Sequence, residues 1–358
     1  MFGSRLKLAR KKAGLSLRGL ADVLEGRVTA QALGKYERGE MMPTSANLIA
    51  LSKALAVPVG YFMSPMGAEL NGMDFRKKSG TSASDRARVE AEVLEHVERY
   101  LMVEEIIGLD SACWDRPFEK IRLGELGDLD TLARRLRKAW SLGNDPIPDM
   151  TELLEEHGVK VFRLGLPEKV SGLTCLVRRP GSAHHVPVIV VNQNDNVERR
   201  RLTLGHELMH RLVDETSPVD LEKAATRFAG AFLMDEEHLG QEIGKHRHSF
   251  GYRELIQVKH LYRVSAAALV VRLEQIGVIS HSNMVHAFQT VARGWRRNEP
   301  EPLEDCNVEE PRRFERLCYW ALTEGLVSLP KAAELLGKPV DVIRDEVKGP
   351  AADDGDRL

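Results

Sequence analysis

The run Leu204-Gly205-His206-Glu207-Leu208-Met209-His210 constrains this chain more than any other stretch. Two histidines four residues apart share one face of an α-helix with 3.6 residues per turn, so their imidazoles can converge on one metal ion. Glu207 lies on the flank, within reach of a water at such an ion, where a carboxylate serves as general base. Residues 196–214 carry Leu202, Leu204, Leu208, Met209, Leu212 and Val213 at spacings near three and four, which predicts an amphipathic helix. Asp214-Glu215-Thr216-Ser217-Pro218 breaks that pattern; Ser217 suits an N-cap and Pro218 a first helical turn. A second helix is predicted over 218–233, through Leu221, Ala224, Ala225, Phe228, Ala229 and Phe232. Its small residues allow close packing on the first helix, and that packing can bring Glu222 back to His206 and His210 as a third ligand. An ordinary surface helix carrying two histidines is the alternative reading of the same spacing.

The segments from Arg201 to His210 and from Glu222 to Met234 together resemble the ImmA/IrrE family of metallopeptidases. The resemblance implies a zincin-like core in which His206, His210 and Glu222 hold zinc and Glu207 is the catalytic base. The chain departs from the family at Gly205, where alanine is usual, at Met209 (glycine), at Thr226 (asparagine) and at Asp235, where proline is common. None of the four is an implied ligand. Three protein ligands leave a fourth position for water, as in catalytic zinc sites. Zinc lowers the pKa of that water to about 7, and Glu207 is expected to take its proton during attack on a peptide carbonyl. No residue can be assigned from sequence as an assisting donor, and His246 and His248 read as part of a solvated basic loop.

A second signal lies in residues 5–63, which resolve into short helical pieces separated by glycine-containing turns. Helices over 16–24 and 29–37, N-capped by Ser16 and Thr29 and joined across Glu25-Gly26-Arg27-Val28, have helix-turn-helix spacing. The first 40 residues hold nine Lys/Arg and four Asp/Glu, a net +5 on a chain of overall charge −2. Basic charge concentrated in this way suits nucleic-acid binding. Leu15-Ser16-Leu17-Arg18-Gly19-Leu20-Ala21 and Gln31-Ala32-Leu33-Gly34-Lys35-Tyr36-Glu37-Arg38-Gly39 resemble the XRE-type repressor domain. That resemblance implies double-stranded operator DNA as partner, with Thr29, Gln31, Gly34 and Lys35 on a recognition helix in the major groove. Gln31 suits adenine edges, and Arg18, Lys35 and Arg38 suit phosphates. Tyr36 reads as core. A helical bundle used only for dimerisation is the alternative.

The 358 residues are 43% hydrophobic and 29% charged, the balance of a globular chain of two or three domains. There is no uninterrupted apolar run of about 18 residues and no signal-peptide-like start, so a cytoplasmic protein without a membrane partner is expected. Cys113, Cys175, Cys306 and Cys318 form no CxxC pair and suit a reducing compartment. The fold class expected is mostly α with a small antiparallel β-sheet (α+β). Its parts are a helix-turn-helix domain (1–64), a linker (65–85), a metallopeptidase domain (86–285), a connector (286–311, rich in Pro and Glu over 299–311), a helical C-terminal segment (312–348) and a disordered tail (349–358). Helices are expected at 86–108, 129–140 and 149–157, and strands at 159–164, 172–177 and 187–191. Residues 132–140 and 143–147 resemble the segment that precedes the peptidase core in such fusions. A sheet edge near the metal could hold an extended substrate by strand addition. Residues 313–347 read as helices broken at Gly325 and Gly337; 328–337 resembles a second helix-turn-helix unit but is not basic, so packing is expected there rather than DNA contact.

Two function classes follow. One is a DNA-bound zinc endopeptidase that cleaves a protein partner, a repressor by family theme, in gene control or stress response. The other is a non-proteolytic repressor or antitoxin of a toxin–antitoxin pair that docks its partner on the peptidase-like body. The linker at 65–85 is a candidate for self-cleavage. A homodimer is expected, since paired helix-turn-helix units read paired half-sites.

Overall fold

The computed structural model describes residues 2–64, 69–71, 82–109, 114, 116–178, 185–303 and 309–349. The first unit contains α1 (Phe2–Lys12), α2 (Leu17–Val23), α3 (Ala30–Arg38), α4 (Ser45–Ala54) and a 3-10 turn (Val59–Met63). Ser16 and Thr29 are N-caps, accepting from the amides of Gly19 (2.9 Å) and Ala32 (3.2 Å). Leu6, Leu20, Leu33, Leu51 and Phe62 are fully buried at its centre, with Tyr36 beside them. Helices α1 and α3 approach so closely that a Cβ on Gly3 would stand 2.4 Å from the Glu37 carbonyl oxygen, so only glycine fits. Arg10 clamps the pair by a bidentate bond to Glu37 (2.6 and 2.9 Å).

Ser82 caps α5 (Ala83–Ile107), the long helix to which the other parts attach. On one side α1 docks: Leu8 joins the apolar cluster of Val89, Val93 and Val97. Buried Arg5 donates to Glu98 at 2.5 Å and to the Ser64 carbonyl at 3.1 Å. Then come α6 (Asp128–Ala139), α7 (Met150–Glu156), β2 (Lys160–Leu164), β3 (Gly172–Arg178) and β4 (His185–Asn192). A short strand β1 (Glu69–Asn71) lies within the segment read as linker and pairs with the end of β3. The sheet order is β1-β3-β4-β2.

The antiparallel sheet expected from sequence is in fact mixed. β3 and β4 form an antiparallel hairpin, but β2 pairs parallel with β4, from Lys160 opposite Val188 to Leu164 opposite Asn192. Short apolar runs reveal strands; which edge a strand takes depends on the helices that cover the sheet. Both faces are covered. Phe162, Leu164, Leu173, Cys175, Val186, Val188 and Val190 face α5, whereas Val161, Ile189 and Val191 face the helices that follow. That double burial explains why β4 is nearly continuously apolar instead of alternating.

Helices α8 (Val197–Leu212) and α9 (Leu221–Leu233) cover the second face, followed by α10 (Glu236–Ile243), α11 (Tyr252–Tyr262), α12 (Ala266–Gln275) and α13 (His281–Gln289). The N-cap of α9 is Asp220, which accepts from the amides of Glu222 (3.1 Å) and Lys223 (3.2 Å), and not Ser217. The Ser217 hydroxyl is occupied elsewhere, accepting from the Leu123 amide and donating to the Asp214 carbonyl. Finally α14 (Arg313–Thr323), α15 (Leu329–Leu336) and α16 (Val340–Lys348) pack back on α5 through Leu317, Cys318, Ala321 and Ile343. Breaks fall at Gly325 and Gly337, both with positive φ. Cys175 and Cys318 are buried free thiols; Cys113, Cys306, most of 65–85 and the tail from 350 lie outside the described residues. No helix among the described residues is long and apolar enough to cross a membrane.

Candidate metal centre and nucleic-acid interface

Helices α8 and α9 run antiparallel and unusually close. A Cβ on Gly205 would stand 3.1 Å from both Cα and Cβ of Ala229, tighter than ordinary van der Waals contact. That spacing carries Glu222, in the first turn of α9, to the histidine face of α8. Glu222 oxygens lie 3.4 Å from His206 Nε2 and 3.9 Å from His210 Nε2, and ligand atoms of all three residues fall within 4.8 Å of one another. Two ligands each about 2.1 Å from a tetrahedral zinc stand roughly 3.4 Å apart, so this donor set fits the ion with small adjustments. His210 is 2% exposed, His206 21% and Glu222 51%, which leaves the site open on one side.

The outer contacts suit metal binding too. Thr226, one turn after Glu222, donates its hydroxyl to the Glu222 carbonyl (3.0 Å) and stands 3.3 Å from His206 Nδ1. With its proton so placed, the hydroxyl oxygen accepts from Nδ1–H, which leaves Nε2 unprotonated towards the site. Sequence reading treated Thr226 only as a departure from the family; its spacing of four from Glu222 was the available signal. Met209, the other departure beside the ligands, turns its side chain into the core and is fully buried. Arg227 of α9 and Arg272 of α12 both bond Asp130 of α6. Burial alone would raise the Asp130 carboxyl, but the two guanidinium groups hold it below the usual range. Their shared carboxylate steadies the helix that bears Glu222.

Glu207 lies beside the start of β3. A Cβ on Gly172 would meet the Thr203 methyl at 2.4 Å, the Val190 carbonyl oxygen at 2.8 Å and Glu207 Cγ at 3.6 Å, so only glycine lets strand and helix approach this closely. β1 pairs with β3 from Leu176 to Arg178. Among the described residues, 172–175 therefore has no second strand neighbour. His246 and His248 are exposed in the loop between α10 and α11, apart from this cluster.

In the first unit, Arg18, Thr29, Gln31, Lys35 and Arg38 are exposed, and Gln31, Lys35 and Arg38 follow one another along one face of α3. Arg38 is paired with Glu40 through two bonds (2.6 and 3.1 Å). Gly34 is set apart from them: it is buried, its absent side chain directed at Leu17 and Arg38.

Comparison with known proteins places both units. A helix-turn-helix domain family matches residues 6–62, and the family described as IrrE N-terminal-like domain matches residues 154–274, which include all four residues of the proposed centre. A tRNA(Ile)-lysidine synthase of Gloeobacter violaceus is 30% identical over 123 residues, 34% of this chain and 34% of that protein. The chain thus corresponds to about a third of that relative's length. The protein joins an XRE-type helix-turn-helix domain to a metallopeptidase-family domain of the IrrE type.

Proposed function

We propose that this chain is a homodimeric, operator-binding regulator whose IrrE-like domain is a zinc-dependent endopeptidase. It would act on a protein partner, a repressor by class, to control gene expression or stress response. One observation carries the reading: two histidines and a glutamate converge at zinc-ligand spacing, and Glu207, the candidate base, follows His206 directly in the chain and packs at the start of β3. Zinc bound there supplies a Lewis acid and water of lowered pKa, about 7. Glu207 takes the proton of the attacking water and returns it to the leaving amine. Thr226 keeps His206 in the ligating tautomer. Residues 172–175 of β3, without a second strand neighbour among the described residues, would offer backbone groups to an extended substrate segment running antiparallel beside Glu207.

The test begins with bound metal in the wild-type protein and in His206→Ala. Near-stoichiometric zinc, lost in the variant, is expected; a wild type that takes up no added zinc refutes the centre. Glu207→Gln should keep the zinc and abolish cleavage and the regulatory effect. An effect that survives this change belongs to a docking repressor or antitoxin. On DNA, Lys35→Ala should weaken binding to all sequences and flatten its salt dependence, while Gln31→Ala should relax sequence preference. Unchanged operator affinity in both variants removes α3 from the groove.

A further inference from the structure

Between α8, α9, α12 and the segment 295–299 lies a cavity of about 500 Å3 that shares a wall with the metal centre. Thr226, which touches His206, is part of that wall, and Leu202, one turn before His206 on the same face of α8, is another part. Val271 and the buried Trp295 add apolar surface. We propose that this cavity is a subsite for an acidic side chain of the substrate, so that the peptidase selects Asp or Glu close to the bond it cuts.

The charges carry this assignment. Four guanidinium groups, of Arg199, Arg272, Arg296 and Arg297, line the cavity against the single carboxylate of Glu299. That carboxylate is already held by buried Lys259 (2.8 Å) and the Ala266 amide (2.8 Å), Arg272 is taken by Asp130 and Arg199 by Asp195 (3.3 Å), which leaves the charge of Arg296 and Arg297 for a ligand. Arg296 and Arg297 are exposed at the rim, and neither forms an ion pair among the described residues. Arg296 lies over the Phe288 ring at 4.4 Å, which orients it without neutralising it. Guanidinium groups bind carboxylates through paired charge-assisted hydrogen bonds. Arg199 sets the geometry: it donates to Ser171 Oγ (3.0 and 2.7 Å), the residue directly before the edge of β3 at 172–175 that has no second strand neighbour among the described residues. A peptide added to that edge therefore passes the mouth of the cavity and can lower one side chain into it. A cavity of this volume suits one or two side chains and not a nucleic-acid duplex.

The subsite rests on the peptidase reading, and one experiment separates the two. Full-length Glu207→Gln protein, loaded with zinc, is titrated with a short fluorescent peptide bearing a central Glu and with the same peptide bearing Gln. Binding of the Glu peptide about tenfold tighter is expected, as one charge-assisted contact gives. The preference should vanish at high salt and in the Arg296→Ser/Arg297→Ser variant, whose exposed substitutions spare the core. Equal binding, no binding of either peptide, a preference that survives the double substitution, or stronger competition by a single-stranded oligonucleotide would each overturn the subsite. Wild-type protein that cuts both peptides equally would keep the peptidase reading and lose the subsite. A Glu preference without any turnover would do the reverse.

Discussion

Glu309 is fully buried and holds four groups at once. It accepts from the amides of Met150 (2.8 Å) and Thr151 (2.8 Å), from the Thr151 hydroxyl (2.9 Å) and from the guanidinium of Arg201, itself fully buried on the metal-bearing helix α8. Glu309→Ala leaves that cation with the carbonyls of Ile147 and Pro148 as its partners and strips the first turn of α7 of its acceptor. Removing one member of a buried ion pair costs about 3–5 kcal/mol, because the survivor stays desolvated and uncompensated. The loss of the neutral hydrogen bonds falls within the same range once water enters the vacated space. About 4 kcal/mol lowers the melting temperature of a domain this size by roughly 8–16 °C. Urea unfolding followed by tryptophan fluorescence reads the effect, since Trp140 and Trp295 sit in the core that contains α8. Arg201→Met should cost a similar amount. The double variant Arg201→Met/Glu309→Ala should cost at least ~2 kcal/mol less than the two single losses together. A Glu309→Ala protein within ~1 kcal/mol of wild type, or strict additivity in the cycle, would refute the claim that this residue pins the segment after 308 to the metal helix.

Thr226→Val should lower zinc affinity about 10- to 100-fold, with little loss of fold, by releasing the His206 tautomer; competition with a chelator measures it, and unchanged affinity denies Thr226 its role. Gly172→Ala should destabilise by roughly 1–3 kcal/mol and suppress cleavage, because the new methyl collides with Thr203 and the Val190 carbonyl. Thr203→Ser in the same chain should recover part of that stability, and no recovery would put the strain elsewhere. His96, packed on Phe162 (5.6 Å), has its pKa lowered to about 4 by burial first and then by Arg99 and Lys12, against Glu95. Because the folded-state value lies below the unfolded one, the contribution is complete above pH 6.5 and is lost as pH falls towards 4. On the order of 3 kcal/mol is at stake. Denaturation midpoints across that window should fall in wild type and stay flatter in His96→Gln; parallel curves would exclude His96 as their source.

Local signals made the two chemical parts of this protein legible. The caps at Ser16 and Thr29, the apolar spacing of α8 and α9 and the breaks at Gly325 and Gly337 all follow from residues within a turn or two of each other, where hydrogen bonds and steric limits act directly. His206 and His210 belong to that class, because one helix suffices to align them. Glu222 was reachable only through the expectation that two small-residue helices pack tightly, and the Gly205–Ala229 approach is what realises it. The remainder depended on surfaces far apart in the chain. The parallel pairing of β2 with β4, the short strand at 69–71 and the docking of α1 on α5 through Arg5 and Glu98 leave no mark in local periodicity. Nor do the carboxylates of Glu299 and Glu309, which read as part of a Pro- and Glu-rich connector. They are drawn in as the partners of Lys259 and Arg201, two buried cations far away in the chain. The sequence by itself determined which side chains could bind a metal or DNA. Tertiary packing decided which of them meet, since burying a charge or opening a sheet edge depends on what the rest of the chain covers.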